Sequence, residues 1–241
     1  MTTILLFLLP VALLFLVSYY MKLSNRHTNT NIIEPTDLTT LKELLTQIHP
    51  KDFTFSKLAK ENDKYVFYSS IKLNNGTNFS IHFYLDKEHS IEEVDFFYRG
   101  TSSETKHISI DLKKTPEETN FLQELWNSFD QTFKKRKEKV IHWKLKEYDY
   151  FSFNKEDSNF NFYCSNRSNT SSLRFIFNQH RQLREISIHS SIRGSRDSLL
   201  LITVENMPSE LEYFQEIWDS FKKGFKQDKN TRVRMITEGF I

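Results

Sequence analysis

The chain has 241 residues, 38% hydrophobic and 27% charged, with 22 Phe and only 5 Gly, a composition that fits one or two globular domains and excludes a disordered or collagen-like polymer. Lys and Arg number 33 against 31 Asp and Glu, a net charge of +2, so the clustered basic face of a nucleic-acid binder is not expected. The one cysteine, Cys164, excludes an intramolecular disulfide. It reads as a small buried residue in an aromatic-rich strand, because a nucleophile needs a base beside it.

Residues 4–20 (ILLFLLPVALLFLVSYY) carry no charge. At about 1.5 Å rise per residue, such a helix spans roughly 26 Å, close to the thickness of a bilayer's hydrocarbon core. Tyr19 and Tyr20 stand at its end, where aromatic rings favour the interface, and membrane helices tolerate a proline such as Pro10. A cleaved signal peptide is the alternative, but no basic residue precedes the apolar run and no small-x-small site follows it. Residues 1–21 are therefore predicted to be a single-pass transmembrane anchor. Lys22 and Arg26 follow it, which predicts a cytoplasmic soluble region, with a periplasmic or extracytoplasmic one as the alternative. The sequons at Asn75, Asn78, Asn166 and Asn169 carry no weight in so Asn-rich a chain.

Residues 22–35 are polar and read as a linker. Asp37 then suits a helix cap ahead of Leu38, Leu41, Leu44, Leu45 and Ile48, and Pro50 ends that helix.

The rest of the chain is self-similar. LQELWNSFDQTFK from Leu122 and FQEIWDSFKKGFK from Phe214 match at seven of thirteen positions, with Trp126 against Trp218 at an offset of 92. The same offset sets Pro116 against Pro208, Ile110 against Ile202, Phe83 against Phe175 and Val94 against Ile186. In the first stretch, alternation predicts strands at 65–73, 79–85, 94–98 and 108–112, with a hairpin turn at Asn74-Asn75-Gly76. The second repeats this at Phe160/Phe162, Leu173/Phe175/Phe177, Ile186/Ile188 and Leu200/Ile202/Val204. Each stretch ends in a helix with an apolar stripe: Phe121, Leu122, Leu125, Trp126, Phe129 and Phe133, then Tyr213, Phe214, Ile217, Trp218, Phe221 and Phe225. Thr115 and Glu118 are spaced as a capping box, and 141–153 has room for an extra strand. The expected fold class is α+β: an N-terminal transmembrane helix, then two tandem repeats, each a four-stranded antiparallel sheet packed by a C-terminal helix. The expected division is 1–21 anchor, 22–35 linker, 36–140 first repeat with its leading helix, and 141–241 second repeat.

No catalytic constellation is legible. The eight histidines show no metal-ligand spacing, and no nucleophile elbow, phosphate loop or dinucleotide fingerprint occurs, so neither a metal nor a cofactor is expected. His82 and His107 read as solvent-facing, and Glu93 and Asp95 as one solvated strand face. Two sets of residues stand out as candidate contacts. Arg99 and Arg193, each before a Gly, could be equivalent partner-binding points. Lys134, Lys135, Arg136 and Lys137 end a helix, where they could meet anionic lipid head groups. The expectation is a membrane-anchored, non-enzymatic protein-interaction module, such as an inhibitor, an immunity factor or an accessory subunit of an envelope complex, with a protein partner and the membrane, met through residues 4–20. A carrier of lipid or another small hydrophobic ligand is the first alternative, and an unrecognised hydrolase the second.

Overall fold

The computed structural model describes Pro35 and residues 37–61, 63–73, 76–100, 105–166, 168, 170–191 and 198–241. Helix α1 (Leu38–Gln47) opens on Asp37, whose carboxylate accepts the Thr40 N–H at 2.9 Å, and it buries Leu41, Leu44 and Leu45. Five strands follow as an antiparallel meander: β1 (Phe55–Glu61), β2 (Lys64–Lys72), β3 (Asn78–Leu85), β4 (Ile91–Arg99) and β5 (Thr105–Asp111). Gly76, at φ +85°, lies in the β2–β3 connection, where a side chain would be strained. The long helix α2 (Thr119–Glu138) closes this half. A second meander has the same order: β6 (Tyr148–Glu156), β7 (Asn159–Asn166), β8 (Ser171–Phe177), β9 (Leu183–Ser190) and β10 (Ser198–Thr203), then α3 (Pro208–Gln227) and a short α4 (Lys229–Thr237).

The two meanders merge. β1 runs parallel to β10, from Phe55 opposite Leu199 to Leu58 opposite Ile202, and the Leu199 N–H donates to the Thr54 carbonyl at 2.7 Å. The result is one ten-stranded mixed sheet in the order β5-β4-β3-β2-β1-β10-β9-β8-β7-β6. This corrects the expected pair of four-stranded repeats: residues 36–140 and 141–241 give five strands each to a single sheet, and no separate repeat units form. The overlooked strand is β1, FSKLAKE. Its burial does not alternate, because it is paired on both sides: the buried residues Ser56 and Ala59 fall on opposite faces, and Phe55 and Leu58 are only half-buried.

The single-pass membrane placement is corrected too. Among the described residues no helix is long and apolar enough to cross a membrane, and residues 4–20, on which that expectation rested, lie outside them.

Side chains on a strand alternate between faces, so the pairing register sorts them. One face carries Leu58, Phe67, Phe83, Val94 and Ile110 in the first half and Phe153, Phe162, Phe175, Ile186 and Ile202 in the second, in direct cross-strand succession. The long helices lie on this face. Trp126 on α2 meets Phe67 at 5.4 Å and Phe83 at 5.2 Å between ring centroids. Trp218 on α3 meets Phe162 at 4.7 Å, Phe175 at 5.2 Å and Phe177 at 4.8 Å. Their tilted and edge-to-face geometry is the one that ring quadrupoles favour.

The helix starts show where spacing misleads. Thr115 makes no capping bond; its hydroxyl donates back to the Asp111 carbonyl at 2.9 Å. Glu118 is drawn instead to Lys42 of α1, at 2.6 Å, so the capping-box reading fails because α1 offers a charged partner.

Cys164 lies on the helix-bearing face of β7 with no exposed surface, and burial pushes its thiol up. The native protein is therefore expected to leave a thiol-reactive dye unconsumed, while protein in denaturant consumes one equivalent. Prompt labelling without denaturant contradicts this burial.

Candidate functional site

The opposite face of the sheet is the candidate site. One transverse row crosses all ten strands there by direct pairing: Ser152, Tyr163, Arg174, Ser187, Leu201, Lys57, Tyr68, His82, Asp95 and Ser109. Among the described residues, the ring contacts made by α2 and α3 go to the other face. Most of the row is half-buried, neither core nor free surface.

Its first half is a linked set of rings and charges. The Tyr68 hydroxyl donates to Glu61 at 2.7 Å, and the Lys57 ammonium lies 5.6 Å from the Tyr68 ring centroid. The Tyr68 ring meets His82 edge-on at 4.6 Å, and His82 meets Phe97 at the same distance. Phe97 stacks flat on His107, 4.5 Å away with the planes 4° apart. His107 Nε2 lies 3.1 Å from Asp95 Oδ1. Beside this chain, Ser109 donates to Glu93 at 2.8 Å. A groove of about 360 Å³ opens over Phe55, Lys57, Tyr68, Ser70, Ser80 and His82.

The electrostatics follow from this geometry. Burial first, then a hydrogen bond to Glu61, pushes the Tyr68 hydroxyl well up. Burial and the Asp95 carboxylate push Tyr84 up to about 12. Burial pulls His82 below its ordinary value, and the charge of His107 acts in the same direction, while Asp95 and Glu61 oppose them. Folding therefore favours neutral His82. Between the folded value and the unfolded value near 6.5 the unfolded chain binds more protons, so this contribution is present above pH 6.5 and is lost as the pH falls below it. His82→Gln is expected to flatten the loss of denaturation midpoint on going from pH 7 to pH 5. An unchanged slope contradicts the assignment.

The second half of the row is a polar brace. Arg174 donates to Asn161 at 3.0 Å and to Glu156 at 3.3 Å, and Asn161 donates to Glu156 at 3.2 Å. Tyr163 meets the exposed ring of Tyr150 at 6.0 Å.

Chemically, this face offers rings, a histidine–aspartate pair and charges of both signs. Among the described residues no Ser, Thr or Cys is hydrogen-bonded to His82 or His107, Ser109 being committed to Glu93. Among the described residues no group of three His, Cys, Asp or Glu converges to hold a metal ion.

The residues singled out in the sequence are scattered. Arg99 ends β4 and is exposed, while Arg193 lies outside the described residues. Of the helix-end cations, Lys134 pairs with Asp130 one turn back at 2.6 Å and Lys135 is exposed. Arg136 donates to the Phe53 carbonyl at 2.8 Å and the Lys51 carbonyl at 3.2 Å. Lys137 meets Glu210 of α3 at 2.8 Å and lies over the Tyr213 ring. Two of the four therefore bind the fold to itself. The contact of His107 with Asp95 was hidden in the sequence because it joins neighbouring strands diagonally; only the register of β4 against β5 reveals it.

The fold and this face define a mostly-β architecture of one mixed sheet with its two long helices on one face. Comparison with protein-family models, curated proteins and solved structures finds no match to the chain.

Proposed function

We propose that the chain is a non-enzymatic protein-interaction module that binds its partner through the open face of the sheet. One observation carries this reading: the half-exposed row that crosses all ten strands, from Ser152 to Ser109, joins aromatic rings to charges of both signs. Tyr, Phe and Arg are residue types that dominate binding energy at protein interfaces, and a polar surround directs the register of the partner. Its support spans both halves: the Tyr68–His82–Phe97–His107 ring chain in one, and Tyr150, Tyr163 and Arg174 in the other.

Photo-cross-linking amino acids at Phe97 and Tyr163, with a control at Asn127 on the exposed side of α2, test the reading in the native cell extract. A discrete adduct shared by the first two positions and missing at Asn127 is expected. No adduct at either face position, or the same adduct at all three, overturns it.

A further inference from the structure

We infer that helix α4 is a plug on the outer edge of β6, and that with the plug withdrawn this edge accepts β5 of a second copy of the chain, extending the sheet head to tail.

The junction within the chain sets the template. β1, the first strand of its half, takes β10, the last strand of the other half, in parallel. The Thr54 carbonyl points across that junction to the Leu199 N–H. Residues two apart on a strand direct their carbonyls to the same side, so Ser56 and Leu58 also face β10.

β6 is likewise the first strand of its half. Leu58 stands opposite Phe67 as Phe153 stands opposite Phe162, and Ser56 stands opposite Ser69 as Phe151 stands opposite Cys164. The carbonyls of Phe151 and Phe153 thus hold the places of Ser56 and Leu58. At β6 they meet α4: Arg234 Nη1 donates to the Phe153 carbonyl at 2.9 Å, and the Thr231 hydroxyl reaches the Phe151 carbonyl at 3.5 Å. Met235 and Phe240 anchor the plug, Phe240 lying 4.8 Å from Phe162 and 5.1 Å from Phe160. Side chains of a helix therefore occupy the acceptors that a strand occupies at β1. Covering an edge in this way prevents edge-to-edge association.

The matching edge is at the far end of the sheet. β5 closes the first half as β10 closes the second, with Val94 opposite Ile110 as Ile186 is opposite Ile202. At β1 the pair is Leu58 with Ile202, so between copies it becomes Phe153 with Ile110, and Ser152 stands beside Ser109. Such a contact is heterologous: each added copy presents a new β5 edge, so the assembly is open-ended.

The test places Ser109→Cys and Ser152→Cys together in the full chain, with α4 intact or weakened by Arg234→Ala and Thr231→Ala. Neighbouring strands are about 4.8 Å apart, within reach of a disulfide. Copper phenanthroline supplies the oxidant. The weakened protein is expected to give a ladder of dimers, trimers and longer species, roughly tenfold more than the protein with α4 intact. A third protein, weakened and carrying His107→Pro on β5, whose N–H lies on the free side of that strand as the Leu199 N–H faces β1, is expected to lose the ladder. Equal yields with α4 intact and weakened, no ladder while circular dichroism stays native, or a ladder that survives the proline overturns the inference.

Discussion

Trp218→Ala is expected to cost about 4–5 kcal/mol and Trp126→Ala about 3–4 kcal/mol in urea unfolding, among the largest losses that single core truncations produce. The difference comes from the neighbours. Trp218 is almost wholly buried and lies within 5.6 Å of Phe162, Phe175, Phe177 and Phe225, whereas Trp126 meets two rings and keeps 7% of its surface. A truncated Trp218 would leave rings from two strands and its own helix facing a void that they cannot fill without moving together. The reverse ranking, or negligible losses at both sites, contradicts the packing of α2 and α3 on the sheet.

Gly224→Ala sets two effects against each other. In the interior of an exposed helix this change stabilises by about 1 kcal/mol, because alanine has less backbone freedom to lose. At Gly224 the added Cβ would stand 2.5 Å from two ring atoms of Phe151 and 2.6 Å from a methyl of Leu145. Both neighbours are fixed, Phe151 on β6 and Leu145 in the turn before it. Overpacking of this kind costs about 1–3 kcal/mol, so a net loss of up to about 2 kcal/mol is expected. Phe151→Leu should recover part of that loss in the double variant, a coupling that independent sites do not show. A more stable Gly224→Ala protein would place α3 farther from β6 than it lies here.

These contacts show where the sequence was legible. Phe79, Ile81, Phe83 and Leu85 alternate with polar residues, and all four are buried on β3. The apolar stripes of α2 and α3 likewise face inward at Trp126, Phe129, Trp218 and Phe221. The signal is strong wherever one face is buried and the other is wet. It fails at β1, which is flanked by β2 and β10 and carries Lys57 on one face and Lys60 on the other, so no two-residue period stands out. It fails again for the joining of the halves: a parallel contact between β1 and β10 spans more than 140 residues of chain, and no local pattern encodes it. The offset of 92 left open whether the two stretches share one sheet, because matching stretches do not reveal whether their edges meet.

The candidate site was legible only as parts. His82 and Asp95 each looked like a polar residue on a wet strand face. Their neighbours Phe97 and His107 convert that face into a stacked chain, and the stacking depends on the registers of β3 on β4 and β4 on β5. The helix-end cations failed for a different reason. A run of Lys and Arg looks uniform, yet Arg136 and Lys137 turn toward carbonyl and carboxylate partners elsewhere in the chain.

The most direct test of the account is amide hydrogen exchange at Leu199 and Leu201 on the β1 side of β10. In one continuous sheet these amides donate across to β1, as Leu199 does to Thr54, and are expected to exchange as slowly as those of the interior strand β3. Fast exchange at both residues, with β3 still protected, would mean that β10 is a free edge and that the two halves form separate sheets.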